Sequence, residues 1–424
     1  MSLALYGNVH VNAQQDTSLF VKDALKENRV KEYKNIVKNG ITKNLSLPLN
    51  DSTEEYWQNA FWSMELISYK SSWVKIKINT AFDSIQNRSL DFQRALLELA
   101  YSNYKKDYVF PVNQLIKNTD DAKIFAMCSE YLLQNDTTEK TFSFITSLLA
   151  EKFIKDKDDP IIKMLNERLQ YFSKLISKKN TEITGPKNIL KDILNKSVLP
   201  NSVIVYSFQR RNRNYPGLAI IRNKEGNIIT NENGAIISIP QLARSVSNLP
   251  GYLTNGNTPE GIFRMDGFDT SLSGYIGPTT NIQLTMPHEN SITHFLKDST
   301  ITDSTWNEKY YKAILPDSWK NYSPIYQTYY AGKAGRAEII AHGTTVNPEY
   351  YKSEPYYPLT PTQGCLCTKE IWSEENGKRL QSNQQKLVDT VQQAGGPDGY
   401  LIVIELDDKN KPVTIEELIS YLPK

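Results

Sequence analysis

Cysteine is scarce in this chain. Its 424 residues include three, Cys128, Cys365 and Cys367, too few and too unevenly spaced for a disulfide framework. Long apolar runs are missing as well. None approaches the roughly 20 residues a helix needs to cross a bilayer, so nothing reads as membrane-spanning. The first residues show no basic-then-apolar leader; the opening Met1-Ser2-Leu3 is compatible with a leader that has been replaced. One-sided charge is absent too, since 49 Lys and Arg face 47 Asp and Glu for a formal net charge of +2. That balance excludes the concentrated basic surface that nucleic-acid binding demands. No convincing repeat period is present either, which leaves a helical bundle and a solenoid of helix pairs equally open for the first half.

What is present is the composition of a globular protein, 39% apolar and 23% charged, at a length that suits two or three domains. Tyr is abundant at 25 copies. Its ring and hydroxyl suit a groove for sugars or peptides, and equally suit ordinary sheet packing.

Residues 1–15 read as a disordered start, which holds His10 without a role. Residues 16–196 carry helical periodicity. Asp16 can cap a first helix running through Phe20 and Leu25 toward Ile36, and Ser52-Thr53-Glu54-Glu55 reads as a capping box. Trp57, Phe61 and Met64 follow at helical spacing, as do Phe92, Leu96 and Leu99, and Ile124, Met127, Cys128 and Tyr131. Phe142, Ile145 and Leu149 form another stripe. Pro160 opens a helix carrying Ile162, Leu165, Leu169, Phe172 and Ile176. Thr184-Gly185-Pro186 breaks the pattern before a last short helix near 189–194. Cys128, on an apolar stripe, reads as a core side chain.

After Pro200 the texture changes to β-branched runs at 203–206, 218–221 and 236–239, with Gly226-Asn227 and Asn233-Gly234 as turns between them. Further strands are expected at 261–265, 282–286, 338–341 and 401–406, with helices near 308–314 and 379–393. The expected class is therefore α+β and multidomain: an all-α domain over 16–196 and a mostly-β domain over 197–424.

Chemistry concentrates between Ile339 and Thr368. Ile339-Ile340-Ala341 reads as a strand end, followed by His342-Gly343-Thr344-Thr345, so His342 can project into a cleft while the backbone turns at Gly343. Thr362-Gln363-Gly364-Cys365 comes next. A Gly just before Cys lets the main chain approach a substrate, with N–H groups aimed at a developing oxyanion. The thiolate is the reactive species, and a neighbouring His is the usual route to it. Cys365 is thus the candidate nucleophile and His342 its base. Arg336 lies six positions before His342, on the same face if the strand continues, where it can hold a carboxylate or sit solvated on the surface. The run Tyr350-Tyr351-Lys352-Ser353-Glu354-Pro355-Tyr356-Tyr357-Pro358 reads either as a cleft wall, with Tyr356 and Tyr357 touching substrate, or as a loop packed on the sheet. His288 and His294 read as surface or structural.

These motifs resemble the L,D-transpeptidase family, the cysteine enzymes that cross-link bacterial peptidoglycan. The family pattern of His, a loop, then Ser or Thr, Gly and Cys is met by His342-Gly343-Thr344 and Thr362-Gln363-Gly364-Cys365-Leu366. Upstream, Asn257-Thr258-Pro259-Glu260-Gly261-Ile262-Phe263 is similar to the family's Thr-Pro-x-Gly-x-Phe segment. The resemblance covers about 200–406 and leaves the helical half aside. It departs at Gln363, where the family usually has His, at Cys367, where Asn or Arg is usual, and in a longer loop between His342 and Cys365.

The resemblance implies a mostly-β L,D-transpeptidase-like catalytic domain that acts without cofactor or metal. The implied substrate is a peptidoglycan stem peptide, attacked by Cys365. Backbone groups of Gly364, Gly343 and Thr344 would orient the imidazole or hold the oxyanion, and Thr362, Gln363 and Arg336 would contact substrate. It further implies a place in the cell envelope, periplasmic or secreted, and an envelope partner for the helical domain. Water in place of the acceptor amine would make the enzyme a carboxypeptidase. Three rivals stand beside it: a non-catalytic peptidoglycan binder, a zinc site built on Cys365, Cys367, His342 and His288 or His294, and a strained Cys365–Cys367 disulfide acting as a redox lock.

Overall fold

The computed structural model describes residues 19–177, 186–271 and 273–423. His10, Asp16, the expected disordered start and the Thr184-Gly185 break lie outside them. The expected order of a helical region followed by β structure is observed, and the strands close into an eight-stranded barrel.

The helical region runs α1 (Lys26–Asn35, continued by a wider π turn over Ile36–Lys43), α2 (Glu54–Leu66), α3 (Ser72–Asp83), α4 (Leu90–Asn103), α5 (Val109–Asn118), α6 (Ala122–Asn135), α7 (Glu139–Lys152), α8 (Pro160–Ile176) and the single turn α9 (Leu190–Ile193). The apolar stripes at Trp57, Phe61 and Met64, at Phe92, Leu96 and Leu99, and around Cys128 are all buried. The capping box at Ser52 is not formed. Thr53 takes the N-cap position of α2 without a side-chain cap, because the Ser52 hydroxyl donates instead to Asn50 Oδ1 at 2.7 Å. Ser71, Ser89, Asp121 and Thr138 do cap α3, α4, α6 and α7.

The barrel strands are β1 (Val203–Gln209), β2 (Gly217–Arg222), β3 (Ser238–Leu242), β4 (Gly261–Asp269), β5 (Asn281–Thr285), β6 (Ile339–Gly343), β7 (Leu366–Thr368) and β10 (Gly399–Glu405), while β8 (Glu370–Trp372) and β9 (Arg379–Ser382) form a separate hairpin. Their order around the barrel is β1-β10-β4-β5-β6-β7-β3-β2. Helices α10 (Ile292–Leu296), α11 (Glu308–Ala313) and α12 (Gln327–Lys333) lie between β5 and β6, and α13 (Asn383–Gln393) precedes β10. Residues 379–382, expected in a helix, are strand β9, and only from Asn383 does the helix begin.

The continuous apolar runs in β1, β2 and β10 arise because these strands are buried on both faces. Val203, Val205, Ala219, Ile221, Phe263, Leu366, Leu401 and Val403 turn into the barrel with Leu387 and Val391 of α13. The alternate residues Ile204, Tyr206, Phe208, Ile220, Ile402 and Ile404 join a second cluster that also contains Trp57, Leu96, Ile124 and Leu165. One apolar core therefore runs from the helical region into the outer face of the barrel. Polar links reinforce it: Tyr252 Oη donates to Glu130 Oε1 at 3.0 Å, Asn255 Nδ2 to Glu98 Oε2 at 3.1 Å, and Tyr351 Oη to the Leu66 carbonyl at 2.9 Å.

Candidate active site

Strand alternation sets the site. Ala341 on β6 points into the barrel, so His342 points out. β6 and β7 run parallel, with His342 beside Cys367. Two residues back along that same outer face, just before β7 begins, comes Cys365. Leu366 between the two cysteines fills the barrel interior. The strand runs on through His342 to Gly343, so the imidazole is held by a ladder rather than by a loop.

His342 is 2% exposed. Its Nδ1 lies 2.5 Å from the carbonyl oxygen of Gly343. A carbonyl can only accept, so Nδ1 carries the proton and Nε2 presents a lone pair. That lone pair faces Thr362, whose Oγ1 is 3.5 Å away. Burial pushes the His342 pKa down to about 4, against the opposing pull of the Gly343 carbonyl, so the ring rests neutral.

The Cys365 thiol is half-buried and free, with its sulfur 3.8 Å from the Glu338 carbonyl. Glu338 holds φ +63, an uncommon conformation for a non-glycine residue. Burial raises the thiol pKa above its ordinary value. The Ile340 amide, the Thr362 hydroxyl and the Arg336 charge pull it back, while Glu338 adds to the rise. The Thr362 hydroxyl thus faces the imidazole and favours the thiolate. No hydrogen bond joins the two directly.

Gly364 explains why glycine precedes the cysteine. Its φ is +108, and a Cβ there would lie 2.0 Å from Arg336 Nη2 and 2.3 Å from the Gly256 carbonyl. Gly343 is packed as closely, since a Cβ would meet Glu370 Oε2 at 2.4 Å.

Arg336 is not on the surface, and main-chain carbonyls take its donors. It is 5% exposed. Its Nη1 donates to the carbonyls of Gly251 and Asn257, the latter at 2.8 Å, and its Nη2 to that of Gly256 at 2.5 Å. The cation therefore clamps the 251–257 segment against Gly364 and acts on Cys365 through space. Its alignment with His342 in sequence could not reveal this, because the acceptors belong to another loop.

Thr258 is a residue that sequence reasoning passed over. Its Oγ1 donates to the Gly364 carbonyl at 2.8 Å, and Asn257 Oδ1 accepts from the Ser245 amide at 2.8 Å. The signal was there: Asn257-Thr258-Pro259 is the upstream motif, and it lies directly against the Gly364-Cys365 turn.

The remaining expected site residues are placed as follows. Gln363 is exposed beside Gly364. Thr344 is fully buried, its hydroxyl donating to the Glu370 carbonyl at 2.5 Å and accepting from the Glu370 amide at 3.2 Å, so it braces the hairpin. Tyr356 is 3% exposed and packs with Tyr351, Leu359, Leu242 and Cys367, with the Arg244 guanidinium 4.9 Å from its ring centroid. Tyr357 is exposed and donates to Glu349 Oε1 at 2.8 Å. The tyrosine loop is thus packed down over β3 and β7, and Tyr356 lines no open cleft.

The zinc arrangement does not assemble. Cys367 is buried on Thr360 and Thr368 with its pKa pushed up to about 12 by burial. His288 packs against Trp306 and Tyr329, and His294 pairs with Asp266. Among the described residues no group of three or more His, Cys, Asp or Glu side chains could hold a metal ion. Cys365 and Cys367 are both free thiols, so the disulfide is not formed. No helix among the described residues is long and apolar enough to cross a membrane.

No family model, curated protein or solved structure matches this chain.

Proposed function

We propose that the protein is a cysteine acyltransferase of the L,D-transpeptidase type, acting on peptidoglycan stem peptides. The observation that carries the reading is the Thr362 hydroxyl, 3.5 Å from His342 Nε2 and one of the groups that favour the Cys365 thiolate. A ring lone pair and a thiol thereby flank one hydroxyl, next to the Gly364 turn and the buried Arg336 guanidinium.

In the first step the Cys365 proton passes to His342 Nε2 as the sulfur attacks the stem-peptide carbonyl. A C–S bond forms, and Gly364 and Cys365 amides face the oxyanion. The C–N bond to the D-amino acid breaks, and its nitrogen takes the proton from His342. An amine of a second stem then attacks the thioester and gives up a proton to His342 Nε2, the C–S bond breaks, and the sulfur takes that proton and leaves as the thiol. Water in that step would give a carboxypeptidase. Because His342 is neutral at rest and the thiol pKa is raised, the proton moves only as attack occurs, general-base fashion.

Defined muropeptides incubated with the protein and analysed by mass spectrometry test this. Cross-linked dimers, absent with Cys365→Ala, support transpeptidation, and shortened stems support the carboxypeptidase. Binding of muropeptides with no turnover would favour the non-catalytic binder. Cell-wall localisation and an envelope partner for the helical region belong to the same proposal.

A further inference from the structure

The 251–257 segment joins the helical region to the Cys365 turn, and all of it but Leu253 carries a polar contact to one or the other. From the helices, Glu130 of α6 accepts the Tyr252 hydroxyl at 3.0 Å and Lys123 of α6 donates to Thr254 Oγ1 at 3.0 Å. Glu98 of α4 accepts from Asn255 Nδ2 at 3.1 Å. On the other side, the carbonyls of Gly251, Gly256 and Asn257 take the donors of Arg336. Leu253 is fully buried in the apolar core shared with the helices.

This segment has little slack. A Cβ on Gly256 would lie 2.0 Å from the Pro250 carbonyl oxygen, and one on Gly251 would lie 2.7 Å from Pro259 Cα. The Gly256 carbonyl accepts from Arg336 Nη2 at 2.5 Å and crowds Gly364, where a Cβ would meet it at 2.3 Å. Thr258 Oγ1 then holds the Gly364 carbonyl at 2.8 Å. Asn255, gripped by Glu98, is therefore one residue from the carbonyl that packs on the nucleophile's turn. Through contacts this tight a displacement is passed on rather than absorbed.

The helical groups that grip the segment are buried carboxylates. Glu98 and Glu130 are 6% and 1% exposed, and such groups destabilise unless their oxygens are bonded. Arg168 of α8 bonds each oxygen of Glu130 at 3.1 Å, and Glu98 gives both of its oxygens to Asn255. Apolar side chains would join the two regions without that desolvation. Carboxylates aimed at one loop fix its position instead of adding adhesion.

We propose that the helical region positions the nucleophile: Glu98 through Asn255, and Glu130 through Tyr252, hold the 251–257 segment so that Gly364 and Cys365 are set in place against Arg336. Both are positioning residues, since neither touches a reacting atom. The proposal rests on the reading of Cys365 as the attacking group, but its structural half needs no turnover to be measured.

The test is hydrogen exchange of the full chain, read by mass spectrometry in peptides covering 362–366, beside the rate at which a carbapenem acylates Cys365. Asn255→Gly removes the gripped side chain without strain, because Asn255 holds φ +55. Asn255→Gly and Glu98→Ala should each speed exchange at 362–366 by about tenfold and slow acylation by roughly tenfold. Combined, they should do no more than either alone, because they break one bond. Glu98→Gln keeps an acceptor and should recover most of both effects. Glu54→Ala removes a buried carboxylate bonded within the helical region, to Arg88 and the Ser89 amide. It should lower the melting temperature yet leave 362–366 as in wild type. Should Glu98→Ala fail to fold, Tyr252→Phe takes its place, with the same rise in exchange expected. Unchanged exchange at 362–366 in the Asn255→Gly protein, an equal rise with Glu54→Ala, additive effects in the double variant, or no recovery with Glu98→Gln would each overturn the assignment. A wild type that forms no adduct but shows the exchange pattern would sink the acyltransferase reading and leave the positioning role standing.

Discussion

His342 Nε2 and Thr362 Oγ1 face each other at 3.5 Å, and the same hydroxyl favours the Cys365 thiolate. Removing it while keeping the shape, as in Thr362→Val, takes away one of the groups that favours the thiolate. The thiol should then titrate at higher pH, and acyl transfer should slow by roughly 10- to 100-fold. Thr362→Ser should retain most of the rate. Alkylation kinetics against pH, beside turnover, check both.

The resting thiol should be sluggish. Its pKa is raised by burial, so iodoacetamide reactivity should rise with a midpoint above the free-thiol value of about 8.5. Arg336→Met removes the nearby cation and should shift that midpoint further up. The same variant leaves the Gly251, Gly256 and Asn257 carbonyls without their donor, and should cost on the order of 3 kcal/mol of stability in denaturant titrations.

Stability should fall in acid partly through His342. The folded pKa of about 4 lies below the ordinary imidazole value of 6.5, so between these values the unfolded chain binds the extra proton. The contribution is complete above about pH 6.5 and lost as the pH drops toward 4, amounting to about 3 kcal/mol at pH 4 for this fully buried ring. His342→Gln should flatten the slope of unfolding free energy against pH in that window, relative to the wild type. An unchanged slope would show that His342 titrates normally.

Gly364→Ala should disrupt the turn outright. A left-handed backbone and a Cβ 2.0 Å from Arg336 Nη2 together exceed what local relaxation absorbs, and a loss of several kcal/mol is expected. The observable is a melting temperature well below that of wild type with thiol reactivity no longer dependent on Arg336.

Much of this arrangement was legible in the sequence, and the rest has identifiable reasons for being hidden. The β-branched runs at Val203, Leu218 and Leu401 declare strands buried on both faces, and the helical stripes at Trp57, Phe92 and Ile124 declare one packed side. Short strands such as β7 carry too few residues for a period of two to show. Residues 379–393 misled because strand β9 feeds directly into α13, capped by Ser382. At the site, His342 and Cys365 could be chosen by residue type, whereas Arg336 and Thr258 act through partners far away in the chain. The tyrosine loop could not be read because its polarity suits water or core equally. The boundary near residue 197 marks a change of texture, but the apolar core runs across it. One cooperative unfolding transition is therefore expected, and 197–424 alone should expose the outer faces of β1 and β10.

Intact-mass spectrometry after incubation with a carbapenem-type β-lactam tests the nucleophile most directly. A single adduct on the wild type, absent with Cys365→Ala and markedly slower with His342→Gln, is the expected result. No adduct at any time, or one that survives loss of the Cys365 thiol, would contradict the assignment of Cys365 as the group that attacks.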